Sequence, residues 1–172
     1  MTNIVYYAVD KVNESLTSTA LPKNLQKHAY KAESISVWHL LIEKYKQVFN
    51  IDLPSVEFLK SGKPIIENGY ISLSHGDGVV AVCFSKTVEV GIDVESVKPQ
   101  VPANLSKFLS ESEPTLFYKK WTEREAVIKA KNYSALKKGA EIEFEGETQT
   151  IYINEKAFSL AIHGKNATFI KV

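Results

Sequence analysis

Apolar and polar residues alternate along this chain in two distinct rhythms. From Ser34 to Phe49 the apolar positions Val37, Trp38, Leu41, Tyr45 and Val48 recur at helical spacing. Pro54 lies just beyond, as expected past a helix end. Thr115 to Lys131 carries Phe117, Trp121 and Ile128 on a second helical stripe. Other segments follow the two-residue rhythm of strands. Ile4 to Val9 reads as a first strand and Ser55 to Leu59 as a weak one. Ile71-Ser72-Leu73-Ser74 alternates, with both serines on one face. Val79 to Phe84 is continuously apolar, as in a strand buried on both sides. From Val88 to Glu95, Val88, Val90, Ile92 and Val94 face one way; Glu89, Gly91, Asp93 and Glu95 face the other.

The remainder predicts strands at Ile142/Phe144, Ile151/Ile153, Phe158 to Ile162 and Phe169 to Val172. Turn-like Glu145-Gly146-Glu147, Asn154-Glu155-Lys156 and His163 to Asn166 separate them. Ser61-Gly62-Lys63-Pro64 reads as a loop. Pro99 and Pro102 bracket an extended connection, which divides the chain into an N-terminal half, 1–98, and a C-terminal half, 99–172. Each half then holds one long helix and several strands. The expected architecture is α+β, with helices packed on mainly antiparallel sheets.

With 172 residues, 44% hydrophobic, the chain can build a real core. A net charge of +1 calls for neither nucleic acid nor membrane. The lone Cys83 sits in the apolar run and forms no internal disulfide, which fits a reducing, cytoplasmic setting. The N-terminus has no basic leader and reads as a strand. A monomer is expected. Charge is nevertheless concentrated: Lys119 to Lys138 holds seven basic residues against two acidic ones, leaving the rest of the chain at −4. Such a face suits an acidic partner or a phosphate-rich ligand, or simply solvates a helix.

Asp93 and Glu95 lie two apart on a strand, so their carboxylates share a face. Two neighbouring carboxylates repel unless a cation or proton intervenes. From the residues alone, a metal site and an ordinary solvent-facing edge both remain open. Glu125 borders the apolar stripe of the second helix, with Lys129 one turn later on the same flank. That pair reads either as a surface ion pair or as a ligating or proton-accepting carboxylate beside a phosphate-binding lysine. All-oxygen carboxylate ligands suit Mg²⁺, which also takes substrate phosphate oxygens and water.

The motifs around these residues resemble those of the 4'-phosphopantetheinyl transferase superfamily. Gly91-Ile92-Asp93-Val94-Glu95 is similar to its Gly-Ile-Asp-Ile/Val-Glu signature, and Trp121 to Lys129 to its Trp-Thr/Ser-x-Lys-Glu-Ala-x-x-Lys signature. Gly62-Lys63-Pro64 and Ser74-His75 resemble two upstream segments. Order and spacing resemble the surfactin-synthetase type, a single chain of two similar halves. The resemblance implies transfer of the phosphopantetheine arm of coenzyme A to a serine of an apo acyl or peptidyl carrier protein, with Mg²⁺ as cofactor. It implies Asp93, Glu95 and Glu125 at the metal and Glu125 as base for the carrier serine. Lys129 would hold the pyrophosphate, Lys63 and Pro64 would lie on the adenine, and Ser74 and His75 would meet the 3'-phosphate. Three positions depart from the pattern. Arg124 replaces a lysine, the stretch Lys131-Asn132-Tyr133-Ser134-Ala135 after the final motif lysine holds no glycine, and Glu33 stands where an arginine is usual, leaving Lys27 and Lys31 as the nearby cations for coenzyme A. A homologue that binds carrier or coenzyme A without catalysis is the other reading these departures allow.

Overall fold

The computed structural model describes residues 2–132 and 142–172. It contains β1 (Asn3–Lys11), a 3-10 turn (Ser18–Ala20), α1 (Lys23–Gln26), α2 (Ala32–Phe49), β2 (Val56–Phe58), β3 (Pro64–Ile66), β4 (Tyr70–Gly76), β5 (Val79–Ser85) and β6 (Val90–Ser96). These are followed by α3 (Ala103–Leu109), α4 (Pro114–Lys131), β7 (Gly146–Ile153), β8 (Lys156–Gly164) and β9 (Ala167–Lys171).

The strands form a four-stranded sheet in the order β4-β5-β1-β9, a three-stranded sheet β6-β8-β7 and the β2-β3 pair. Every pairing is antiparallel except β1 with β9. The fold is thus α+β on mainly antiparallel sheets. Strand β6, before Pro99, pairs with β8, while β9 returns to the edge of β1. Pairing therefore crosses the Pro99/Pro102 segment in both directions.

The continuous apolar run of β5 is explained by its place. Val80, Val82 and Phe84 pack under α2 against Val37, Trp38, Leu41 and Tyr45. Val79, Ala81 and Cys83 point the other way, onto Val90, Ile92 and Val94 of β6 and Leu160 and Ile162 of β8. The layers run α2, first sheet, second sheet, α4, and each sheet carries one long helix. Burial raises the Cys83 thiol far above its ordinary pKa, so it serves as a small apolar core residue.

Helix α4 begins where the Glu113 side chain accepts from the backbone N–H groups of Thr115 and Leu116, with Pro114 at the first helical position. Those bonds hold the Glu113 carboxyl below its usual range. The helix ends at Asn132, φ 53° and ψ 39°, whose N–H reaches Ile128 O. Asparagine here supplies the left-handed cap that glycine usually provides.

Two expectations need correction. Ile142 and Phe144 are not in a strand: pairing with β8 begins at Gly146, opposite His163, and the expected turn at 145–147 is the start of β7. A Cβ at Gly146 would come within 2.2 Å of Ile162 O, so this close approach needs glycine. Pro64, read as the end of a loop, is the first residue of β3. Lys137 and Lys138 of the basic segment lie outside the described residues.

Candidate active site

The second sheet turns one face of β6 toward the first sheet and the other toward α4. Ile92 and Val94 fill the inter-sheet core, which leaves Gly91, Asp93 and Glu95 on the α4 side. A Cβ on Gly91 would lie 1.8 Å from Ala126 O, so only glycine lets α4 sit this close. That contact brings Lys129 down onto β6. Its Nζ donates to Asp93 Oδ1 at 2.6 Å, Ser74 Oγ at 3.0 Å and Ile92 O at 3.1 Å. The two separated motifs therefore meet through an ion pair in which Asp93 is almost wholly buried.

Strand β4 supplies the third wall. Ser72 Oγ accepts from Ile92 N at 3.2 Å, and Ser74 Oγ accepts from Val94 N at 3.3 Å. These hydroxyls satisfy the edge of β6 in place of a further strand. Ser74 Oγ also donates to Asp93 Oδ1 at 3.0 Å. With Lys129 as second donor, its hydrogen-bonding capacity is full. The other Asp93 oxygen, Oδ2, is buried without a hydrogen-bond partner.

Burial first, and the Asp93 carboxylate second, push the carboxyls of Glu95 and Glu125 above their ordinary range. Lys129 pulls both the other way. Arg124 Nη1 donates to Glu125 Oε1 at 2.7 Å while its guanidinium lies 5.1 Å over the Phe108 ring and 5.8 Å over Trp121. A planar guanidinium can stack and donate at once, which a lysine ammonium does less well. Among the described residues no three of His, Cys, Asp and Glu form a ready-made metal cluster. Mg²⁺ seldom uses an all-protein cage, and an orphaned buried carboxylate oxygen flanked by two charge-averse carboxyls is a donor set that suits it.

Two adjoining cavities open beside this centre. One of about 310 Å³ is lined by Lys63, Pro64, Leu73, Ile128 and Lys129 among others. Its neighbour, about 400 Å³, shares Gly62, Pro64 and Leu73 and adds His28, Trp38, Phe58, Lys60 and His75. The His28 ring stacks on Phe58 with centroids 3.8 Å apart. The Gly62 turn, φ 86°, is fastened to the end of α4 by Ser61 Oγ donating to Asn132 Oδ1 at 2.6 Å and by Lys63 Nζ donating to Ala130 O. Burial lowers the Lys63 pKa. His75 stands at the far end, Nδ1 3.7 Å from Glu33 Oε2, with exposed Lys31 at the start of α2.

The structure thus joins Asp93, Ser74 and Lys129 directly, sets Glu95 and Glu125 within electrostatic reach, and strings Lys63, Pro64 and His75 along the cavities. Sequence reading missed Ser72 as an edge clamp, the Arg124–Glu125 and Glu33–His75 pairs, and the aromatic wall of Trp38 and Phe58. Only the alternation of Ser72 with Ser74 carried a signal for any of these.

No known family model matches the chain. It is 27% identical over 100 aligned positions to the 4'-phosphopantetheinyl transferase AcpT of Salmonella typhimurium (strain LT2), and equally to the protein of that name from Salmonella typhi. Each alignment covers 48% of this chain and 52% of the relative, so the chain spans about half the length of the curated relatives it matches. Among the described residues no helix is long and apolar enough to cross a membrane. With its motifs gathered at one centre, the chain is distantly similar to 4'-phosphopantetheinyl transferases.

Proposed function

We propose that this protein is a Mg²⁺-dependent transferase of the surfactin-synthetase type. It moves the 4'-phosphopantetheine arm of coenzyme A onto a serine of an apo acyl or peptidyl carrier protein and releases adenosine 3',5'-bisphosphate. The observation that carries the reading is the convergence of Asp93 from β6 and Lys129 from α4, at 2.6 Å, beside cavities lined by Lys63 and His75.

In this reading Asp93, Glu95 and Glu125 would hold Mg²⁺, which would supply charge neutralisation on the pyrophosphate. Lys129 exchanges part of its hold on Asp93 for a pyrophosphate oxygen. The carrier serine attacks the phosphorus bearing the pantetheine, and the bond to the departing adenosine bisphosphate breaks. The serine proton would pass to the Glu125 carboxylate. Arg124 orients Glu125. Lys63 and Pro64 lie against the adenine. Ser74, already saturated, positions Asp93 and Lys129, so contact with the 3'-phosphate falls to His75, with Lys31 as an outlying cation. The partners are the carrier and coenzyme A, met by a monomer in the cytoplasm.

The test is to incubate the protein with a generic apo-carrier, coenzyme A and Mg²⁺ and to weigh the carrier. A gain of one phosphopantetheine group is expected. Tight binding of coenzyme A without any mass gain would favour the second reading, a non-catalytic homologue, which the Glu33 carboxylate beside His75 makes worth testing.

A further inference from the structure

We propose that Glu33 sets the donor specificity of this site, weakening its preference for a phosphate beside His75. A donor lacking the 3'-phosphate should then be used nearly as well as coenzyme A. The inference rests on the transferase reading above.

Glu33 lies in the first turn of the 18-residue helix α2. The free N–H groups and dipole at such a terminus would favour an anion. A carboxylate in that turn offsets this field at the position where it would be useful. The Glu33 side chain does not turn away from the cavity end. Its Oε2 lies 3.7 Å from Nδ1 of His75, a residue lining the larger cavity. Both side chains keep more than a third of their surface exposed, and of the two His75 lines the cavity. Ser34 Oγ accepts from Lys31 N and donates to Lys31 O, which fixes the entry into the helix. Among the described lining residues of the larger cavity, Lys60 is the lysine.

The rest of the cavity recognises a different feature. Phe58, the stacked His28 ring and Pro64 offer apolar surface, suited to the adenine rather than to a charge. A phosphate accepting from His75 would come within roughly 5 Å of the Glu33 carboxylate. At that distance each unit of phosphate charge loses about tenfold in affinity, between the limits of water-like and protein-surface screening.

The experiment compares coenzyme A with 3'-dephospho-coenzyme A in calorimetric binding and in the mass-gain assay, for wild type, Glu33→Gln and Glu33→Arg. Wild type should treat the two donors within a few-fold of each other. Glu33→Gln should improve coenzyme A by roughly tenfold to hundredfold, for a phosphate carrying one to two charges, and leave the dephospho donor unchanged, and Glu33→Arg should widen the gap further. The proposal is overturned if both donors shift together, as a merely structural role would require, or if the ratio ignores Glu33. If wild type binds neither donor, the transferase reading itself falls and takes this inference with it.

Discussion

Gly91→Ala should separate the two halves of the candidate site. The added Cβ would stand 1.8 Å from Ala126 O and 2.7 Å from Ala130 N, both backbone atoms of α4. Cβ atoms are essentially never found within 3.0 Å of such atoms, so α4 must retreat by more than about 1.2 Å. No flexible side chain can absorb that displacement, because the obstacle is a helix backbone on one side and a paired strand on the other. Overpacking of a well-filled interior typically costs about 1–3 kcal/mol, and this geometry points to ~3 kcal/mol or more. For a chain of this size that is a fall in melting temperature of about 6–12 °C. The same retreat stretches the 2.6 Å contact of Lys129 with Asp93 beyond hydrogen-bonding range. Loss of transfer should therefore outrun loss of fold at 25 °C. Thermal and urea melts measure the first effect, and carrier mass gain the second. Gly76→Ala is the control, since its nearest contact would be an ordinary 3.9 Å. A Gly91→Ala protein melting within 2 °C of wild type would refute the reasoning.

Replacing Asp93 with Ala should leave the protein folded by circular dichroism and cut transfer ~10²-fold or more, because it removes a proposed ligand of the cation that would neutralise phosphate charge; full activity, or activity in excess chelator, would remove Asp93 from the proposed metal site. Lys119 and Lys120 are half-exposed and pair with Glu123 and Glu111; reversing both charges should raise the Michaelis constant for the carrier at low salt, leave that for coenzyme A nearly unchanged, and cost little stability, since surface pairs are worth about 0–1 kcal/mol. Unchanged carrier kinetics would reduce these lysines to solvation. His163 is buried with neither ring nitrogen hydrogen-bonded to any of the described residues, and burial, aided by Lys131, lowers its pKa below the ordinary 6.5. The unfolded chain therefore binds the proton more readily, so stability should be full above pH 6.5 and fall as pH drops through the window down to the depressed folded value. In melts from pH 8 to pH 5, His163→Leu should lose that part of the slope, and an identical slope in both proteins would contradict the assignment.

What could be read from sequence follows the physics of burial. Helices α2 and α4 were legible because 18 residues give several turns of one periodic face, and their ends came within two residues of the reading. Strand β5 was legible because both its faces are covered. Helices α1 and α3, with four and seven residues, and strand β3, with three, are too short to establish a period. Ile142 and Phe144 look like a strand because they alternate; in the fold the Phe144 ring instead rests 6.0 Å from His163, and side-chain packing holds that stretch without a ladder. The open choice over Asp93 and Glu95, metal site or solvent edge, turned on a fact the sequence does not hold. The face opposite Ile92 and Val94 is covered by α4, so Asp93 is buried rather than solvated. Pattern tells which side of a strand is apolar, but not whether a helix closes the other side.

That closure ties the stability of the site to its chemistry. Strands β4 and β6 are edges of different sheets, and each leaves backbone groups to satisfy. The hydroxyls of Ser72 and Ser74 take two N–H groups of β6, and Lys129 takes the carbonyl of Ile92. Lys129 is therefore a structural clamp as well as the cation nearest Asp93. A ligand that draws its ammonium away must leave Ile92 O and Asp93 Oδ1 short of a donor, a loss of about 1–3 kcal/mol for each group left dry. The cavity along Lys63 and Lys129 lets water reach the vacated carbonyl, but the nearly buried Asp93 would then need a proton or a new cation. On the proposed transferase reading, departure of the lysine and arrival of a cation at Asp93 would therefore be linked, and a phosphate ligand that brings its own cation would be accepted at least cost.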